Sequence, residues 1–202
     1  MNNESKKIEV SESNLKAAFE VADESTKKVL EALFGKIEST NENKPNLYDY
    51  KTIKTYEDAC IALGEKVDEE KLSEAGVPKH IIALMKLELV CKALWGGEVK
   101  VYPDLNGNRT YYYPWFALYT KDEVERMDSE ERGLLLSAYA TNGAPAGWGY
   151  ATAFYRSSYS STGSGFRLCL DTYEKAEYFG KQFLELWAEA IAFNFSVGER
   201  LK

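Results

Sequence analysis

PKHIIALMKLELVCKALWGGEVKVYPDLNGNRTYYYPWFALY, residues 78–119, contains the change of period on which the fold class turns. Its first half spaces Ile81, Leu84, Met85, Leu87, Val90, Cys91, Leu94 and Trp95 at helical intervals behind Pro78, a residue that a first helical turn tolerates. Gly96-Gly97 stops that helix. Its polar positions shrink to a strip around Lys79, Lys86, Glu88 and Lys92, so the helix is expected at the centre, covered round most of its circumference. The second half is rich in β-branched and aromatic residues: residues 99–102 and 109–113 read as strands flanking Asn106-Gly107, a strong hairpin signal. Pro103 and Pro114 limit strand length, and residues 115–119 continue as an edge strand.

Working outward, Thr120, Asp122 and Glu123 open a short acidic helix or turn. Residues 150–159 and 166–170 are further strand candidates, expected to pair antiparallel across the Ser/Gly loop at 160–165. A long amphipathic helix at about 172–195 closes the chain, with Ala176, Phe179, Gly180, Phe183, Trp187, Ala190 and Ile191 on one face. Upstream, Thr55 and Asp58 have capping-box spacing ahead of Ala59, Ile61, Ala62 and Leu63, and Gly64 ends that helix. Residues 37–49 have the polar composition of a linker. Before it, Leu15, Ala18, Phe19 and Ala22, then Val29, Leu30, Leu33 and Phe34 behind Asp23 or Ser25, read as a bent helix or helical hairpin ended by Gly35. The expected organisation is an N-terminal helical appendage at 1–37, a linker at 38–51 and an α+β domain at 52–202. The domain should hold an antiparallel sheet of about four to five strands against a central helix and a long C-terminal helix.

Composition narrows the function classes. At 202 residues, 45% hydrophobic and 28% charged, the chain suits one folded core with an appendage. Thirty-two acidic against 25 basic residues give a formal charge of -7, which disfavours broad nucleic-acid or anionic-membrane binding. The uncharged segment 133–155 is interrupted by Asn142, Gly143, Pro145, Gly147 and Gly149, so it reads as no spanning helix. Cys60, Cys91 and Cys169 are odd in number and set among apolar neighbours, as reduced thiols of a cytoplasmic protein are. Residues 1–10 lack the apolar stretch of a secretory signal.

No catalytic or metal signature stands out. The cysteines and the single histidine, His80, lack the close pairing of zinc ligands, and no nucleophile motif accompanies His80. Gly147-x-Gly149 and Gly163-x-Gly165 do not lead from a strand into a helix as phosphate loops do. Asp104, Asn106 and Asn108 imitate a calcium loop, but Trp115 stands where its bidentate Glu belongs. No metal or cofactor is expected. What remains is a bias: residues 133–170 contain no Asp or Glu while carrying Arg156 and Arg167 among many rings. The candidate contact residues are Trp148, Tyr150, Tyr155, Arg156, Tyr159 and Arg167, with Tyr112 and Trp115 from the 111–116 ring run. They serve either as a platform for a ligand or partner, or as ordinary sheet core.

Four blocks carry a resemblance: 7–35, 52–64, Tyr112-Tyr113-Pro114-Trp115-Phe116, and 165–170 running into 176–183. They are similar to an uncharacterised protein family of phages and prophages of Bacteroides-type gut bacteria, although Phe166 departs from the pattern before Arg167. The resemblance implies a phage or prophage origin, a recurrent fold and no assigned activity. The resulting expectation is a non-enzymatic interaction protein, a virion or assembly component or a host-acting factor, in the bacterial cytoplasm or within a virion. It would bind a protein partner or its own copy through aromatic surfaces, without membrane association. Its alternative is a single-stranded nucleic-acid or modified-base binding module using the Arg- and ring-rich 133–170 segment. An enzymatic reading would rest on Asp171 or Glu174 near Arg167.

Overall fold

The computed structural model describes Leu15, Ala18, Phe19 and residues 22–35, 44–102, 109–140, 145–157 and 166–202. The chain divides into two units, Met1–Lys44 and Pro45–Lys202. In the first, helix α1 (Glu24–Phe34) starts at Asp23, whose carboxylate accepts from the Thr26 backbone N–H at 2.8 Å and the Ser25 hydroxyl at 3.0 Å. It ends at Gly35 and leaves Val29, Leu33 and Phe34 exposed.

The second unit is α+β. Its helices are α2 (Tyr56–Leu63), α3 (Glu69–Glu74), α4 (Lys79–Leu94), α5 (Lys121–Arg126), α6 (Ser129–Gly133), α7 (Tyr173–Gln182) and α8 (Leu184–Ile191). Strands β1 (Thr110–Tyr119), β2 (Leu135–Tyr139), β3 (Gly147–Ser157) and β4 (Ser196–Arg200) form one sheet in the order β1-β3-β2-β4, all pairs antiparallel. Helix α7 packs on β1 and β3, and α4 packs on α8 and α2. Between them lies a core containing Leu87, Val90 and Leu94 of α4, Phe179 of α7, Leu184 and Trp187 of α8, and Leu136, Trp148 and Ala153 of the sheet. A fully buried ring such as Phe179 contributes roughly 1.5–3 kcal/mol by leaving water.

Local signals explain most helix ends. Thr55 and Asp58 form a reciprocal capping box, and Gly64 ends α2 at φ 67°, where a side chain would be strained. Thr120 caps α5 and Thr172 caps α7. Helix α4 stops at Trp95 before Gly96-Gly97, but Ile81 and Met85 are 38% exposed, so its cover is less complete than its apolar pattern implies.

The structure corrects four expectations. Residues 99–102 form no strand: the Tyr111 hydroxyl accepts the Tyr102 N–H at 3.1 Å and donates to the Lys100 carbonyl at 3.3 Å, satisfying this backbone without a ladder. The Asn106-Gly107 turn lies outside the described residues. Residues 166–170 form a short 3₁₀ turn, Phe166–Leu168, and a single bridge, because Leu168, Cys169 and Leu170 are buried consecutively rather than alternately. The closing helix is two helices broken at Phe183 (φ −106°, ψ 32°), next to the Phe179 carbonyl that accepts from the Trp187 indole at 3.2 Å. After Ile191, 37% exposed, the chain turns through Asn194 at φ 51° into β4. Finally, Leu47 and Tyr50, within the stretch expected as linker, pack against the core.

Strand β1 runs straight through Pro114. The outward N–H and C=O of Tyr112 pair with Leu170, at 2.9 and 2.7 Å, so every second residue aims its backbone away from β3. Pro114 falls in that phase, and its missing N–H removes no bond to β3.

Candidate functional site

A single irregularity sets the chemistry of the sheet's two sides. Trp115 lies opposite Thr152 and Phe116 opposite Tyr150, so Ala151 is an extra residue on β3. Residues opposite one another in an antiparallel pair share a face, and a one-residue bulge exchanges the faces beyond it. On the Trp148 and Tyr150 side of the bulge, even-numbered residues of β3 therefore face the helices. On the Thr152 and Phe154 side, even-numbered residues face away from them.

The helix-side face is a packed interior. Trp148 is 3% exposed and stacks on Phe116 at 4.7 Å and 12°; Phe116 in turn meets Trp187 at 5.2 Å. Trp148, expected as a contact residue, lies in the core. Tyr150 packs under Gly180 of α7 with the Lys181 ammonium 5.4 Å above its ring. Its hydroxyl is buried without a hydrogen-bond partner of good geometry among the described residues, and burial, with the neighbouring Tyr173 hydroxyl, raises its pKa. An added Cβ on Gly180 would collide with that ring and come within 2.7 Å of Pro114 Cβ, so the close approach of α7 depends on this glycine. Toward the far end of this face, Tyr112 meets Tyr155 and Tyr173, both at 6.3 Å, with Tyr155 62% exposed.

The opposite face presents Tyr113, Trp115 and Phe154. Phe154 lies 6.0 Å from Tyr113 at 56° and 5.8 Å from Trp115 at 41°. Trp115 is 55% exposed. This ring strip is bounded at both ends. At one end Tyr111 is buried beside Trp95 and bonded to residues 100 and 102. At the other, Val124 of α5, Leu135 and Leu201 close over Gly147, and Leu135 occupies the space that a side chain on Gly149 would need. Between the ends, Tyr113, Trp115, Ala117, Thr152 and Phe154 carry no charge.

Of the expected contact residues with described side chains, the structure brings Trp115 to this outer strip, puts Tyr112 and Tyr155 together elsewhere, and buries Trp148 and the Tyr150 hydroxyl. Tyr159 lies outside the described residues, as does the side chain of Arg156. Arg167 is exposed and reaches Glu88 of α4 at 3.5 Å. Tyr113 and Phe154, which lie in the ring-rich stretches noted above but were not among the chosen contacts, belong to the strip; the alternation Phe154, Thr152 against Tyr113, Trp115 was their signal, readable only with the register known.

Cys91 and Cys169 are fully buried, Cys91 Sγ lying 3.5 Å from the Cys169 carbonyl, which also accepts from the Trp95 indole at 2.7 Å. Burial pushes the Cys169 thiol up to about 12 and Cys91 well above its ordinary value, so neither is poised as a thiolate. Asp171 pairs with Lys175 at 3.0 Å and Glu177 with Lys181 at 2.8 Å. Glu174, Glu177, Tyr178, Lys181 and Arg200 line an open cleft of about 500 Å³, and an apolar groove of about 600 Å³ runs between α3 and α4 over Leu72, Met85 and Leu89. Among the described residues no three His, Cys, Asp or Glu side chains converge as metal ligands, and no helix is long and apolar enough to cross a membrane.

No family model, curated protein or solved structure matches the chain.

Proposed function

We propose that this protein is a non-enzymatic interaction module that holds another protein against the outer face of β1 and β3, with Trp115 as the anchor and Tyr113 and Phe154 beside it. The observation supporting this reading is a tryptophan 55% exposed beside the rings of Tyr113 and Phe154, in a chain that buries Trp148 and Trp187 to 3% and 6%. Large rings account for most binding energy where they seat in a partner, and exposed apolar strips of this kind mark contact surfaces. The exposed Val29, Leu33 and Phe34 of α1 offer a second docking element in the N-terminal unit. The biological setting, a phage- or prophage-encoded virion component or host-acting factor, draws on the resemblance of the sequence blocks alone.

The test compares the full chain with its Trp115→Glu variant as bait in host cells. A partner recovered with the wild type and lost with the variant, at unchanged thermal midpoint, is the expected result. Equal recovery of the same partners by both proteins would count against the strip as the docking surface. Deleting residues 1–37 asks separately whether the N-terminal unit contributes.

A further inference from the structure

We propose that the open border of β4 receives an extended, basic segment of a protein partner, which joins the sheet as an added strand beside a cleft under α8. This surface is separate from the ring strip on β1 and β3.

The sheet ends differently at its two borders. At β1, Leu170 takes the outward N–H and C=O of Tyr112, and Pro114 has no N–H to offer. At the other border β4 pairs with β2 alone, and no described residue bonds to its outer backbone. A row of N–H and C=O groups left in this way is a template for an incoming strand. The five residues of β4 span roughly 17 Å at about 3.3 Å each.

Main-chain bonding gives affinity in such a contact, and the alternate side chains give selectivity. Their surroundings follow from the register. Trp148 faces the helices and lies opposite Leu136, which in turn lies opposite Arg200. The Arg200 guanidinium accordingly reaches Glu185 of α8 at 2.8 Å. Every second side chain of a strand added to β4 therefore points to the α8 side. There a cleft of about 360 Å³ is lined by Leu136, Ala188, Val197 and Gly198, and its only charged lining residues are Glu185 and Glu189. Arg200 answers Glu185, whereas Glu189 is exposed and has no ion pair among the described residues.

Charge selects the occupant. Lys or Arg on the α8 side of the added strand would lay its aliphatic stem along Val197 and carry its cation to Glu189. The intervening side chains would fall on the side of Tyr139, which is 63% exposed and suits apolar neighbours. A second copy of this chain fits poorly, because it brings its own Glu185 and Glu189 to the seam and adds another net charge of -7.

The probe is a short, fluorescently labelled peptide alternating Lys and Val, titrated with the full chain beside a Glu/Val peptide of equal length. Saturable binding of the Lys/Val peptide alone is expected, weakening as salt is added. Glu189→Lys should weaken it about threefold or more, while Glu70→Lys, the same charge change at an exposed position of α3, should leave it within about 1.5-fold. Both variants should keep the circular dichroism and thermal midpoint of the wild type. An added strand bonds along one border only, so N-methylating alternate residues of the peptide should weaken binding about tenfold in one phase and less than about twofold in the other. No saturable binding, equal binding of the two peptides, equal effects of the two substitutions, or equal effects of the two methylation phases would each overturn the proposal.

Discussion

The two sides of the β1–β3 pair are built from the same residue types and do opposite things. Toward the helices, Phe116, Trp148 and Trp187 are closely packed. Away from them, the rings of Tyr113, Trp115 and Phe154 are tilted against one another. Ring content does not distinguish these sides. Phase does, and the phase of β3 is set by one extra residue, Ala151.

Removing that residue should produce the largest effect. Deletion of Ala151 forces one end of β3 to turn its side chains over, either exposing Trp148 and Tyr150 or driving Phe154 inward. The expected loss is more than about 3 kcal/mol in denaturant unfolding, comparable to truncating a core ring, and a stable deletion variant would break the comparison. Phe179→Ala, which empties a fully buried position, should cost about 3–5 kcal/mol by the same measurement. Gly180→Ala should cost roughly 1–3 kcal/mol, because α7 must lift from Tyr150 and Pro114 to admit one methyl group.

A pH titration sharpens the contrast further. Burial holds the Cys169 thiol and the Tyr178 hydroxyl protonated up to about 12, and raises Cys91 as well. An unfolded chain gives up thiol protons from about pH 8.5 and tyrosine protons from about pH 10. Stability should therefore be intact below about pH 8.5 and fall as pH rises toward 12, read as a declining urea midpoint. A flat profile would contradict these burials. The smallest effect on folding belongs to the outer strip: Trp115→Ala should change stability by no more than about 0.5 kcal/mol while removing the anchor for binding. Only a substitution on this side can separate the two readouts.

The sequence made some of this legible for physical reasons. Capping residues act over three positions, so Thr55 with Asp58, Thr120 and Thr172 marked helix starts without tertiary information. The apolar face of the closing segment was equally plain through Ala190, but its break was not: helical spacing continues across Phe183, and the Trp187 indole bond is a matter of packing. Strand β2 was missed because Leu135, Leu136, Ser137 and Ala138 are all buried, leaving no alternation to detect. Strand β4, Ser-Val-Gly-Glu-Arg, has one aliphatic side chain and is held by pairing with β2. The segment 166–170 mimicked a strand because hydrophobic character resembles alternation until burial is known. The strip was hidden most completely. Its membership depends on a bulge at an ordinary alanine, where neither glycine nor a charge announces a change of phase.

The bridge between Tyr112 and Leu170 has one further consequence. A sheet that displays sticky rings and also an open border would recruit copies of itself into growing ribbons as its concentration rises. With Leu170 paired at Tyr112 and Pro114 beside it, this stretch of the β1 border offers less free backbone to another strand.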